Sequence, residues 1–233
     1  MLDRLIQQAI QQVLTPVFDP EFSDSSHGFR PNRSAHGAAK QVQRTIRRGR
    51  RFWPTSCWML RLVVNLEKSR IVPTDGIEFL GFVFRGVTGA IHVSEKNVRK
   101  CKRRIRELTG RSRGISMTQR LGELRRYLQG WAGYFALAAQ MRPFENLGQW
   151  IRRRLRMCIW KRWPFVRTRV QNLLTLGVPR RQAFRHAKSR KGPWHMAKTI
   201  ASGVAMTNAW LQDQGLVSLK SLWIKRAPLR RTA

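Results

Sequence analysis

The chain has 233 residues, 42% of them hydrophobic, with 46 Lys and Arg against 12 Asp and Glu, for a formal net charge of +34. That apolar content excludes a chain disordered by composition. The charge excludes a near-neutral enzyme surface: such a chain repels itself unless a polyanion neutralises it, and nucleic acid is the usual polyanion.

In chain order, Leu2, Leu5, Ile6, Ala9, Ile10, Val13 and Leu14 share one face of a helix over 2–14, which Pro16 and Pro20 should end. FSDSSHGFRPNRS (22–34) is a loop of turn formers, and 34–48 should be helical with Ser34 as N-cap. Residues 51–60, RFWPTSCWML, fit no element. RLVVN (61–65) reads as a short strand, IEFLGFVFRG (77–86) as a strand and TGAIHVS (88–94) as its hairpin partner. From Ser94 onward the pattern is helical. A first helix buries Val98, Cys101, Ile105 and Leu108 and exposes Lys100, Lys102, Arg103, Arg104 and Arg106. A second, 116–139, carries Leu121, Leu124, Leu128, Trp131 and Phe135. A third, about 144–161, sets Leu147, Trp150, Ile151, Leu155 and Ile159 against Arg152, Arg153, Arg154 and Arg156, and Pro164 stops it. Short helices follow at 165–176, 179–188 and 194–213.

The charge steepens along this order. Residues 1–50 hold 8 basic and 4 acidic residues, 51–142 hold 18 and 6, and 143–233 hold 20 and 2. Arg dominates at the end, which suits bidentate phosphate contacts. RRQAFRHAKSRKGPW (180–194) puts Arg180, Arg181, Arg185, Lys188, Arg190 and Lys191 into one helix and turn. Trp194 beside it either stacks on a base or sits in the core. One basic helix is usually a solvated face; four in one chain of this charge point to a polyanion-binding surface.

Chemistry is thinly represented. Phosphoryl transfer on two metals needs convergent carboxylates, yet no Asp-Asp pair occurs, and the one D-x-E, Asp19-Pro20-Glu21, lies in a proline-bounded loop. The five His and three Cys (Cys57, Cys101, Cys158) show no zinc spacing and no disulfide framework, consistent with a reducing compartment. No apolar run reaches the ~20 residues of a membrane span. The N-terminus lacks a signal peptide's apolar stretch, so a cytoplasmic location is expected.

The chain resembles a bacterial group II intron-encoded reverse transcriptase/maturase. The resemblance is carried by DRLIQQAIQQVLTPVFDPEFSDSSHGFRPNRSAHGAAKQVQ (3–43), similar to the fingers, and by VNLEKSRI followed by FLGFVF, similar to the late palm and its primer-grip hairpin. GWAGYF and WIRRRLRMCIWKRW are similar to the thumb and maturase region. SRKGPWHMAKTIASGVAMTNAWLQDQGLVSLKSLW (189–223) is similar to the end of the maturase domain. The family's central palm, with its first catalytic aspartate and its Y-A-D-D tetrapeptide, has no counterpart: only 51–60 separates the fingers helix from RLVVN. The leader and zinc-bearing tail of the family are likewise not matched.

The resemblance implies a mainly α fold with a small β remnant. Its expected parts are a fingers and early-palm remnant (1–50), a deletion joint (51–60) and a late-palm remnant with a primer-grip-like hairpin (61–93). The first thumb and maturase helices (94–142), a maturase-specific helical domain (143–224) and a basic tail (225–233) follow. Arg30, Arg33 and Lys68 resemble family positions near template or substrate phosphates. Lys68, Phe79, Leu80 and Gly81 are vestiges of the palm, with no catalytic residue and no metal ligand. The RNA-binding set expected from charge and resemblance is Arg30, Arg33, Lys100, Lys102, Arg103, Arg104, Arg152, Arg153, Arg154, Arg156, Lys161, Arg162, Arg180, Arg181, Arg185, Lys188, Arg190, Lys191 and Trp194. The expected function is binding of structured intron RNA to assist splicing, with polymerase activity lost and no cofactor (Mg²⁺ belongs to the intact family). The alternatives are an active RNA-directed DNA polymerase or a non-functional remnant of a decayed intron. Relatives that dimerise leave a homodimer open.

Overall fold

A computed structural model describes residues 2–21, 27, 28, 30–54 and 71–226. The expected strand 61–65, Lys68, Cys57, most of the expected joint and the tail from 227 lie outside the described residues. The chain divides into two units, 1–94 and 95–233.

In the first unit, helix α1 spans Leu2–Phe18 and runs through Pro16 into a 3₁₀ turn, Asp19–Glu21. It therefore outlasts the expected stop at Pro16. A proline near a helix end removes a single donor. The Thr15 hydroxyl meanwhile donates to the Gln11 carbonyl at 2.6 Å. The expected apolar face formed, but Leu5, Ile6, Ile10, Val13 and Leu14 on it are exposed.

Helix α2, Ala35–Arg47, is capped as the sequence implies: the Ser34 hydroxyl accepts from the Gly37 amide at 3.1 Å. Its buried stripe is Ala38, Ala39, Val42 and Ile46. Strands β1 (Phe52–Pro54) and β2 (Ile71–Pro73) pair antiparallel, so part of the segment that fitted no element is strand. A second sheet has the order β3 (Glu78–Phe79), β4 (Phe82–Arg85), β5 (Ala90–Val93), all antiparallel.

The expected single strand 77–86 is thus two strands. Leu80 and Gly81 have φ of +50° and +81°, and Phe79 pairs with Phe82 across them. Two consecutive positive φ values make a two-residue hairpin turn whose twist matches its strands. Helix α2 lies against the other turn: Gln43 Nε2 donates to Gly89 O at 3.1 Å and Arg47 Nε to Thr88 O at 3.2 Å. At Gly89, φ is +58° and a Cβ would stand 3.2 Å from Ile46, so only glycine serves there without strain.

Leu80 is a branched side chain in the left-handed region and is 41% exposed. The conformation costs about 1–2 kcal/mol. Leu80→Asn creates the favoured Asn-Gly turn and is expected to stabilise the sheet by about 1 kcal/mol. Hydrogen exchange at the amides of β4 and β5 reads this; faster exchange would mean that the leucine contributes packing that outweighs the strain.

The second unit is helical: α3 Glu95–Leu108, α4 Met117–Phe135, α5 Arg142–Lys161, α6 Val166–Thr175, α7 Arg180–Ala187, α8 Pro193–Met196, α9 Ile200–Ala205, α10 Asn208–Asp213 and α11 Leu219–Arg226. Most of the expected apolar stripes are its core. Cys101, Ile105, Leu124, Leu128, Leu147, Ile151 and Leu155 are at most 1% exposed. Each large apolar side chain among them contributes about 1.5–3 kcal/mol of burial. Helix α11 packs on α4 and α5. There Trp131 meets Phe135 and Phe144, Phe144 meets Trp223, and Trp223 Nε1 donates to Ala138 O at 3.1 Å.

The expected helix 194–213 is instead three short ones. Thr199 and Thr207 each accept from an amide three residues on, Ser202 and Trp210, and so start new helices inside the run. Among the described residues no helix is long and apolar enough to cross a membrane.

Candidate nucleic-acid interface

The cations divide into two classes that sequence alone does not separate. One class holds the backbone. Arg120 is 4% exposed. Its Nη1 donates to Gly110 O at 2.6 Å and its Nη2 to Arg113 O at 3.4 Å, closing the loop between α3 and α4. Arg113 completes that loop, donating to Leu108 O and pairing with Glu123, both at 3.0 Å.

The arginines expected on the RNA face of α5 belong largely to this class. Arg154 Nε donates to the Thr109 hydroxyl at 2.6 Å, and its guanidinium stands against Trp150 together with that of Arg106. Arg156 Nε donates to Met206 O at 2.9 Å. Arg153 stacks on Trp194 at 3.9 Å from the ring centroid, and its buried Nε has no partner among the described residues. Partial burial lowers the pKa of Arg152, Arg154 and Arg156, which nonetheless stay charged at neutral pH. Arg153, Arg154 and Arg156 therefore bind the protein to itself at least as much as they offer charge outward.

Arg30 is in the same position in the first unit. Its Nε pairs with Asp19 at 2.6 Å and its Nη2 donates to the Asp19 carbonyl. That hydrogen bond holds the Asp19 carboxyl below its usual range. Arg33 is exposed. Phe79, Leu80 and Gly81 form the end of β3 and its turn.

The second class is exposed. Lys161, Arg162, Arg180, Arg181, Arg185, Lys188, Arg190, Lys191 and also Lys198, which the sequence reading passed over, are all exposed. None of them forms an ion pair among the described residues. Helix α7 buries Ala183 and Ala187. Arg181, Arg185 and Lys188 recur at four- and three-residue spacing on the opposite stripe, each Cβ about 5–6 Å from the next. Lys100 and Arg103 on α3 are exposed and Lys102 is half-buried, whereas Arg104 pairs with Glu107 at 2.8 Å. Trp194, 37% exposed, belongs neither to the core nor to open solvent: Arg153 covers it.

The carboxylates of this unit are few and mostly engaged. Residues 95–233 hold 33 basic and 5 acidic residues. Glu95, Glu107, Glu123 and Glu145 pair with Arg99, Arg104, Arg113 and Lys220. The exposed cations therefore have no internal counterion, the condition in which a surface gathers polyanions. The other reactive groups are quiet. Burial pushes the Cys101 thiol up to about 12 and raises that of Cys158. Burial, then Arg185, lowers His186, which stays neutral at pH 7. Among the described residues no three His, Cys, Asp or Glu side chains come together as metal ligands.

Comparison with known proteins agrees with this helical unit. Residues 98–176 match the model of the group II intron, maturase-specific domain. The chain is 46% identical over 50 residues to the group II intron-encoded protein LtrA of Lactococcus lactis subsp. cremoris, covering 22% of this chain and 8% of that protein. It is 45% identical over 42 residues to the uncharacterized mitochondrial protein ymf11 of Marchantia polymorpha, covering 18% and 6%. It is 42% identical over 40 residues to an uncharacterized 91 kDa protein in the cob intron of Schizosaccharomyces pombe, covering 17% and 5%. The chain thus matches less than a tenth of the length of each of these relatives. Residues 98–176 of the chain are thus similar to the maturase-specific domain of group II introns.

Proposed function

We propose that the second unit binds structured group II intron RNA and favours the splicing-competent RNA fold through binding energy alone, without polymerase activity. The observation that carries this reading is the run of exposed, unpaired cations from Arg180 to Lys191, beside a maturase-specific domain in a chain of net charge +34. A polycation that binds one RNA conformer better than another shifts the population toward it, with no catalytic group required from the protein. The domain bounds 94–142 and 143–224, and the phosphate roles of Arg33, Lys100, Arg103, Lys161 and Arg162, belong to the same proposal. Loss of polymerisation is supported by the sequence, which has no Asp-Asp pair in any segment.

The test is equilibrium binding of the whole chain to a folded group II intron RNA, with a scrambled RNA of equal length as competitor, across a salt series. Preference for the folded intron that persists at about 0.15 M salt is the expected result. Equal binding to both RNAs, falling together with salt, would leave only a polycation. Templated primer extension with Mg²⁺ above a no-protein control would overturn the loss of polymerisation.

A further inference from the structure

We propose that a cleft in the second unit, lined by Trp163 and Trp210, takes a single unstacked RNA base. The cleft encloses about 390 Å³, the liquid volume of about a dozen waters, which is ample for a purine. Trp163 follows the end of α5, and Trp210 stands in the first turn of α10. Both are half-buried. The main chain at both is held. Trp163 leans on the buried Trp160 at 5.9 Å, and Arg169 Nε donates to its carbonyl at 2.8 Å. The Trp210 amide is held by the Thr207 hydroxyl at 3.1 Å. A prepositioned aromatic wall loses little freedom on binding.

The rest of the lining matches the remaining parts of a nucleotide. Asn172 and Gln214 bring side-chain amides that make no hydrogen bond to another described residue. Each offers both a donor and an acceptor, the combination that reads a base edge. Ile159, 8% exposed, supplies an apolar floor. Arg162, exposed at the rim, supplies charge for the attached phosphate. No Asp or Glu lines the cleft, so no carboxylate repels the phosphate of a bound nucleotide. Structured RNA presents such bases in bulges and loops, and proteins read them there by stacking.

This inference rests on the RNA-binding reading, and the test separates the two. Two RNA duplexes identical except for one bulged adenosine are titrated against the full chain at fixed salt. The bulged duplex is expected to bind roughly tenfold tighter, the contribution of one base–aromatic stack. Trp210→Leu and Gln214→Ala are each expected to lose most of that preference and to leave affinity for the bulge-free duplex unchanged. Gln214 is exposed, so its variant tests the cleft even if the tryptophan variant folds poorly. Equal affinity of the wild-type chain for both duplexes, or a preference retained in the Gln214 variant, overturns the cleft. If the bulge-free duplex still binds in a salt-dependent way, the RNA-binding reading survives that result. Failure to bind either duplex overturns both.

Discussion

Replacing Arg180, Arg181, Arg185, Lys188, Arg190 and Lys191 together with Gln is expected to lower affinity for structured RNA by roughly a hundredfold at about 0.15 M salt. The slope of log affinity against log salt should become shallower by about 0.8 for each residue that meets a phosphate. Filter binding over a salt series reads both quantities. Because these side chains are exposed and free of ion pairs, their replacement should not lower the thermal midpoint, so a loss of affinity reports contact rather than unfolding. An unchanged slope would remove this stripe from the interface. The same experiment on Arg152, Arg153, Arg154 and Arg156 would not discriminate. Arg154 holds the hydroxyl and carbonyl of Thr109 and Arg156 the carbonyl of Met206, so their loss would weaken the fold along with any contact.

Arg120→Met should cost about 3 kcal/mol of stability. The side chain is buried, and its loss leaves the Gly110 and Arg113 carbonyls without the charged donor that holds them. Hydrogen bonds from a charged group are worth about 1.5–3 kcal/mol each, and the methionine fills most of the volume. For a chain of this size, that corresponds to a fall of roughly 10 °C in Tm, measured calorimetrically on the full chain. Loss of the buried charged donor inside the loop is the cause, so surface substitutions at Arg125 or Arg126 on the same helix should have little effect. A Tm equal to that of the unaltered chain would mean that water replaces the guanidinium at both carbonyls.

Much of the helical unit was legible in the sequence because its signals are local. The stripes at Cys101, Ile105 and Leu108, at Leu121, Leu124 and Leu128, and at Leu147, Ile151 and Leu155 recur at helical spacing and are buried. Ser34 announced its cap. The failures had physical causes of another kind. Leu80 gave no sign of a turn, because leucine rarely takes a positive φ and the alternation around it reads as one strand. The break of 194–213 into three helices depends on Thr199 and Thr207 turning their hydroxyls to the backbone, a competition that composition does not decide.

For the candidate site the limit was sharper. Arg154 and Arg181 look alike in sequence, each within an arginine-rich amphipathic helix. Only tertiary placement shows that one bonds Thr109 while the other faces solvent. The two indoles that line the cleft were invisible for the same reason: Trp163 and Trp210 belong to segments that meet only in the fold.

The use of nearly every carboxylate of the helical unit in a local pair has a further consequence. The folded chain concentrates like charge on itself, so added electrolyte steadies the free protein by screening that repulsion. Under the proposed RNA binding, the same electrolyte should compete with RNA for the exposed cations. Free chain and complex should then have opposite ionic preferences, with bound RNA as the missing counterion in dilute solution.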